Sequence, residues 1–467
     1  MEGREMGCGS LTELCDNAPL NSFHKRLAFY SSGGPFLDGY VMGMIGIALV
    51  QITPYMNLSV FWEGMLGAST MAGMFLGGFT GGWVTDKYGR QLLYTLDLIA
   101  LGLCSVLQFW AETPFYLFVI RFLLGVAVGA DYPIATALMA EFTPKKYRGP
   151  FIGGLVVMWA FGVTVAYVVG SIMLPYSPDA WRWMLASAAL PATLFLFMRR
   201  HTPESPRWLI KQQRYEEARA VFKLVYDATV PLKTIKSMDV STKTASVRQL
   251  FKSGYGTRML FIAVFWTCAI LPMYSVYAFA PKILAALGLN HDHGTMSSVV
   301  TTVIFMFGCL LPLPLINKMG RRSSLLHSFF WSAVALFLLG LFTNANPFLI
   351  LLLFSVYALA TGCSQNLQFV YPNELFPTEI RASAVGLASS LSRIGAAIGT
   401  YFVPLSLERL GISGTVWAAA FITAIGYLVS LKMAPETKHC TLEEAACCPE
   451  PGASVYLEPS SSASEAR

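Results

Sequence analysis

Twelve stretches of roughly 20 mostly apolar residues run along the chain, the length an α-helix needs to cross the hydrocarbon core of a bilayer. Six lie near residues 27–52, 64–85, 91–111, 115–140, 150–174 and 181–199, and six more near 258–288, 296–316, 323–343, 347–370, 382–407 and 412–433. Only 13% of the 467 residues are charged and 55% are hydrophobic, against about a quarter charged in soluble domains, so a water-soluble fold is not expected. In lipid each segment must satisfy its own backbone polar groups. The expected fold class is therefore all-α integral membrane, with twelve transmembrane helices in two pseudo-symmetric six-helix bundles. The divisions are an N-terminal segment 1–26, a first bundle 27–199, a central loop 200–257, a second bundle 258–433 and a tail 434–467, read as disordered from its Ser, Ala and Glu content.

The net charge of +6 is unevenly placed. Residues 199–258 hold thirteen Lys and Arg against five Asp and Glu, leaving 20 basic and 22 acidic residues elsewhere. This is a topology signal, and no nucleic-acid partner follows from it. Positive charge recurs at alternate connections, at His24-Lys25-Arg26, Lys87 and Arg90, Lys145-Lys146-Arg148, the central loop, Lys318-Arg321-Arg322, Arg381 and Lys438. The intervening turns carry Arg182 and Arg409 as exceptions. The positive-inside rule then puts both termini and the central loop in the cytoplasm of a multi-pass protein of the cytoplasmic (inner) membrane. The first 26 residues lack the layout of a cleaved signal peptide. Nine cysteines form no CxxC pair or Cys/His cluster, so neither a metal nor a disulfide framework is expected.

The two halves repeat. Asp86-Lys87-Tyr88-Gly89-Arg90 matches Asn317-Lys318-Met319-Gly320-Arg321, Glu141 to Arg148 matches Glu374 to Arg381, and Pro203-Glu204-Ser205 matches Pro435-Glu436-Thr437. Near-equal offsets of about half the chain argue for duplication, and a duplicated six-helix unit suits alternating access around a midplane site.

On these residues the chain resembles the major facilitator superfamily over about 22–440. Gly82-x-x-x-Asp86-Lys87-x-Gly89-Arg90 is similar to its loop motif between helices 2 and 3, and Arg121-x-x-x-Gly125 to its helix 4 motif. Pro203-Glu-Ser-Pro-Arg-Trp-Leu209, Glu374-Leu-Phe-Pro-Thr-x-x-Arg381 and Pro435-Glu-Thr-Lys438 resemble sugar-porter signatures. Asp38-Gly39-Tyr40 and Gly129-Ala-Asp131-Tyr132-Pro133 look like proton-coupled phosphate and organic-acid carriers, and the nearest likeness is to bacterial metabolite:proton symporters. The Gln-Gln-Leu-type helix 7 motif of sugar porters and the helix 7 aspartate of phosphate symporters are both absent. The resemblance implies that Gly82, Asp86, Gly89, Arg90, Glu141, Arg148, Lys318, Gly320, Arg321, Glu374 and Arg381 control gating. The competing reading is that the basic residues only set topology.

A charge at mid-membrane costs about 2.5–3.5 kcal/mol, so intramembrane ionisable residues mark a pathway or need a partner. Asp38, among Gly33, Gly34, Pro35 and Gly39, is read as a proton carrier or as an arginine's partner; Asp131, beside Tyr132 and Pro133, as a proton-coupling residue or one side of an ion pair. Asp97 is read as structural. Arg121 lies ten residues before Asp131, roughly 15 Å along a helix, so its partner must come from another helix. Arg393 matches the geometry of a carboxylate, or balances an acid such as Asp38. The helix 10 amides Gln365, Asn366 and Gln368, and the aromatics Trp159, Trp266, Tyr274 and Tyr277, suit hydrogen bonding and stacking against a small polar solute. Tyr40, Arg121, Tyr132 and Arg393 complete the expected substrate-binding set.

Nothing resembles an enzyme's nucleophile and base, and His291-Asp292-His293 reads as an outer turn. The expected function is proton-coupled symport of an organic acid or sugar-like metabolite, with protons, solute and the lipid bilayer as partners, no cofactor beyond the proton gradient, and a monomeric state. The alternatives are an uncoupled sugar or polyol facilitator and a transport-dead sensor.

Overall fold

A computed structural model describes residues 18–200, 202–227, 230–236, 255–287, 291–312, 318–376 and 378–438. The first crossing is broken. α1 (Ser22–Ser31) ends one residue before α2 (Gly33–Tyr55) begins. α3 (Val60–Tyr88), α4 (Arg90–Leu107), α5 (Pro114–Phe142) and α6 (Lys145–Met173) supply the next four, and α7 (Ala180–Ala186) with α8 (Ala189–Arg199) the sixth. Three short helices follow: α9 (Pro206–Lys211), α10 (Tyr215–Tyr226) and α11 (Leu232–Lys236). In the second half, α12 (Gly256–Ala278) continues into α13 (Ala280–Ala286), then come α14 (His291–Leu310), α15 (Arg321–Leu341) and α16 (Pro347–Leu375). α17 (Thr378–Met433) holds the last two crossings, separated at Gly411, whose φ of 68° reverses the chain.

Nine helices among the described residues are long and apolar enough to span a membrane, with 384–433 counted once. Splitting that stretch at Gly411 and adding α3 and the shorter apolar helix Met296–Leu310 gives the twelve crossings expected. Their outer faces carry large apolar side chains, including Leu190 at 76%, Phe79 at 73%, Phe348 at 73% and Phe421 at 67% exposure. Water would penalise that surface and lipid accepts it.

Small residues set how closely the helices pack. A Cβ at Gly39 would lie 2.0 Å from the Trp159 carbonyl oxygen, and one at Gly162 would lie 2.0 Å from that of Phe36. The α2 and α6 backbones therefore touch where Asp38 and Trp159 project.

Two expectations are corrected here. The central loop is partly helical: in α10, Ala218, Val221, Phe222 and Val225 are buried at i, i+3, i+4 and i+7 spacing. They join Leu27, Ile134 and Phe142 of the first bundle in one apolar cluster. Asn21 Nδ2 donates to the Val225 carbonyl at 2.6 Å, and the Tyr226 hydroxyl to that of Phe142 at 2.9 Å. The density of Lys and Arg hid this apolar stripe. His291-Asp292-His293, read as a turn, instead opens α14. The tail 439–467 lies outside the described residues.

Candidate functional site

At one end of each bundle the repeated motifs build the same polar lock. Gly89 has φ 99° and Gly320 φ 90°, a region that favours glycine. These turns aim the first backbone N–H groups of α4 and α15 outward, where an acidic side chain is favoured. Glu204 accepts from the Arg90 and Gln91 amides at 3.0 Å each, and Glu436 from the Arg321 amide at 2.8 Å. The Arg90 side chain pairs with Glu141, and Arg321 with Glu374 at 2.9 Å. Ser205 Oγ donates to Glu141, and Thr437 Oγ1 to Glu374 at 2.6 Å. All these bonds stay within one half. Lys318 uses its carbonyl, which accepts from Lys438 Nζ at 2.6 Å. The side chains of Gly82, Asp86, Arg148 and Arg381 lie outside the described ones. Glu204 and Glu436 were quoted in the sequence motifs without a role, although their repeat at matching offsets was the signal for one.

The halves meet toward the opposite end. Lys282 Nζ of α13 donates to both carboxylate oxygens of Glu63 in α3, at 2.6 and 2.7 Å. A Cβ at Gly64 would sit 2.4 Å from the Tyr401 carbonyl oxygen, and one at Gly67 would sit 2.8 Å from the Phe279 ring. Deeper in, the Tyr167 hydroxyl donates to the Tyr277 carbonyl at 2.5 Å. Neither Glu63 nor Lys282 was singled out from sequence, because Lys282 lies within an apolar run and Glu63 at a helix start.

Between these ends, residues of both halves converge. Trp159 Nε1 of α6 donates to Asp38 Oδ2 at 2.9 Å. The Trp159 ring lies 5.4 Å from Tyr274 of α12 and 5.9 Å from Phe305 of α14, and Phe305 lies 5.0 Å from Tyr277. Arg393 of α17 donates to the Tyr274 hydroxyl and sits 5.2 Å from the centre of its ring, within electrostatic reach of Asp38. Arg393 also lines a cavity of about 50 Å³ between the halves, with Met74, Gly78 and Gly129 on one side and Ser389 and Ser390 on the other.

Buried polar atoms here lack protein partners: Asp38 Oδ1, Tyr277 Oη, Ser275 Oγ, Gln365 Nε2, Gln368 Nε2 and Thr400 Oγ1. Nearly all buried polar groups are normally hydrogen-bonded, so these atoms are available to a polar solute. Asn366 is partly committed, its Nδ2 donating to the Cys309 carbonyl at 2.6 Å. Trp266 is buried in α12. The Tyr132 side chain lies outside the described ones.

Two expected solute residues are placed elsewhere. Arg121, fully buried, donates to the Leu66 carbonyl, Ser69, Thr70 and Gln108, all in the first half. Its partner does come from other segments, and it is neutral: four acceptors solvate the charge without a carboxylate. The guanidinium is thereby a strut between α3 and α5 rather than a solute ligand. Tyr40 turns away from the second half and bonds Ser187 at 2.7 Å. Asp131 pairs with Arg199 at 2.5 Å, and Asp97 lies 3.8 Å from the same guanidinium. Arg199 was read only as a basic residue at the edge of the central loop, so this partnership was missed.

A family model described as sugar (and other) transporter matches residues 27–447. Two Escherichia coli K12 proteins, YaaU and the inner membrane metabolite transport protein YgcS, are 40% and 38% identical to this chain. The alignments cover 92% of this chain in both cases, and 96% and 95% of the relatives. Among solved structures, the E. coli xylose transporter XylE in a partially occluded inward open conformation superposes with a TM-score of 0.77 at 21% identity, covering 90% of this chain and 100% of that one. A second XylE structure is described as that of a proton:xylose symporter. The match across nearly the whole chain, on a duplicated twelve-helix fold with a polar seam between its halves, shows that this membrane transport protein belongs to the sugar (and other) transporter family.

Proposed function

We propose that the protein is a proton-coupled symporter that moves a small hydroxylated or carboxylated metabolite across the cytoplasmic membrane by alternating access. The observation that carries this reading is Asp38. Its carboxylate lies at the seam between the halves, with one oxygen held by Trp159 and the other without a hydrogen bond, within electrostatic reach of Arg393. A carboxylate with one oxygen left free at the seam can take up a proton, and solute contact with Arg393 is then linked to its protonation. Asp131 is the second proton-coupling candidate.

Gln365, Gln368 and Tyr277 offer neutral hydrogen-bonding groups that suit hydroxyls, and Arg393 offers a cation that suits a carboxylate. Asn366, Trp159, Trp266, Tyr274 and Tyr132 complete the proposed solute wall. The motif end, rich in Lys and Arg, faces the cytoplasm with both termini. The Glu63–Lys282 end then faces outward and is sealed, so the structure is read as an inward-leaning state.

The deciding experiment is uptake of labelled hexoses and small organic acids into proteoliposomes under an imposed inward proton gradient, parent against Asp38→Asn. Gradient-driven accumulation in the parent, lost in Asp38→Asn with solute exchange retained, assigns coupling to Asp38. Equal, gradient-independent equilibration in both refutes symport and leaves an uncoupled facilitator.

A further inference from the structure

A second buried charge cluster lies in the first half, toward the motif end, and does not balance. Arg199 at the end of α8 is 1% exposed; Asp131 of α5 is 4% and Asp97 of α4 is 7% exposed. The guanidinium donates to Asp131 Oδ1 at 2.5 Å and lies 3.8 Å from Asp97 Oδ2, with Asp131 Oδ2 3.4 Å from its other terminal nitrogen. Its remaining hydrogen bonds go to the carbonyls of Tyr30 at 3.1 Å and Tyr94 at 3.3 Å, and its Cζ lies 3.7 Å from the centre of the Tyr94 ring. One cation thus faces two carboxylates.

Among the described residues, the other elements packed here bring no second cation. From α4 comes the Tyr94 hydroxyl, which donates to Ser31 Oγ of α1 at 2.9 Å. From α2 comes a further buried acid, Asp38. Asp97 Oδ1 accepts from the Leu98 amide at 2.6 Å, whereas Asp97 Oδ2 is buried with no hydrogen bond. Asp97 Oδ2 and Asp131 Oδ1 face the same terminal nitrogen of Arg199, at 3.8 and 2.5 Å. Two carboxylates in one buried site cannot readily both be ionised, and a shared proton relieves the excess charge.

We propose that Asp97 and Asp131 form a proton-binding site, holding one proton between them against Arg199 at neutral pH. The site is distinct from Asp38 and adds Asp97 as a proton-holding group, with Arg199 as the fixed cation that it faces. Its place at the break in the first crossing gives it a mechanical reach. A Cβ at Gly34 would lie 1.3 Å from Asp131 Oδ2, so α2 rests on this carboxylate, while Arg199 holds the carbonyl of Tyr30 in α1. Loss of the shared proton adds a negative charge beside the one cation that ties α1 to α4, α5 and α8, and so biases the position of the helix that carries Asp38. This consequence rests on the symport reading, but the proton itself is counted without transport.

The test is infrared spectroscopy of the full chain reconstituted in lipid, in potassium buffer at pH 7, with and without ¹³C at the aspartate carboxyl carbons. Asp38→Asn is the background, which removes that residue's own signal. The expected result is a protonated-carboxyl C=O band that shifts on labelling, and that is lost on adding either Asp97→Asn or Asp131→Asn. The labelled band in the Asp38→Asn protein needs no change within the pair, so the test survives if a pair variant does not fold. Absence of the band, or its persistence in both pair variants, overturns the proposal. A band abolished by sodium at constant pH assigns the site to a metal cation and overturns it too. If the band behaves as expected while uptake ignores the proton gradient, the symport reading fails and the proton site stands.

Discussion

Arg121 and Arg393 show why intramembrane charge in a sequence does not reveal its task. Both lie in long apolar helices, yet Arg121 is saturated by neutral acceptors of its own half, while Arg393 reaches across α12 toward the seam. The two should separate in experiment. Arg393→Gln removes a charge-assisted contact worth about 1.5–3 kcal/mol, so KM for a carboxylated solute should rise roughly 10- to 150-fold while a neutral analogue changes little; equal effects on both would remove Arg393 from solute recognition. Arg121→Met should leave KM within about twofold and instead lower the melting temperature in detergent, because it orphans Ser69, Thr70 and Gln108, at about 1–3 kcal/mol for a buried group. Asp38 and Arg393 were both legible from sequence as charges within apolar segments. Tyr40 was misplaced because the face a tyrosine takes on a helix buried all round carries no periodic signal: α2 is buried at nearly every position from Gly33 to Leu49.

At the scale of helices and turns, the sequence yielded the twelve crossings because length and apolarity decide them. It did not yield the breaks at Ser32, Ala188 and Phe279, which come from packing rather than composition. Helix α10 of the central segment was hidden for a different reason: its apolar stripe at Ala218, Val221, Phe222 and Val225 is too short for a crossing, and the basic charge of the surrounding segment drew the reading to topology. The matching turns at Gly89 and Gly320 were legible as a repeat, and the structure supplies their cause. Each needs positive φ, and each holds a carboxylate so close that a Cβ would lie 2.5 Å from Glu204 or 2.6 Å from Glu436. Gly89→Ala and Gly320→Ala should each destabilise the fold by about 1–3 kcal/mol, read as a lower melting temperature. Thermal unfolding unchanged in both would show that these turns tolerate a side chain.

Across the whole molecule, the locks at the motif end bind within each half, whereas Glu63 and Lys282 bind between halves at the other end. No local pattern pairs a residue near the start of the second crossing with one at the end of the seventh, so that contact was not readable beforehand. Lys282 is 41% exposed and Glu63 6%, which keeps the pair's net worth near the upper end of surface bridges, about 1 kcal/mol. Glu63→Gln should therefore raise the outward-open population about fivefold, seen as faster labelling by an impermeant thiol reagent of a Ser275→Cys protein in oriented vesicles. An unchanged labelling rate would show that the pair does not help to seal this end.

Symport requires that solute and protons move together through the seam. The measurement is the internal pH of proteoliposomes, reported by a trapped dye, when a transported solute is added outside with no pH gradient imposed. Symport through Asp38 predicts solute-dependent acidification inside with the parent protein and none with Asp38→Asn. Solute entry in the parent without any proton movement would contradict it.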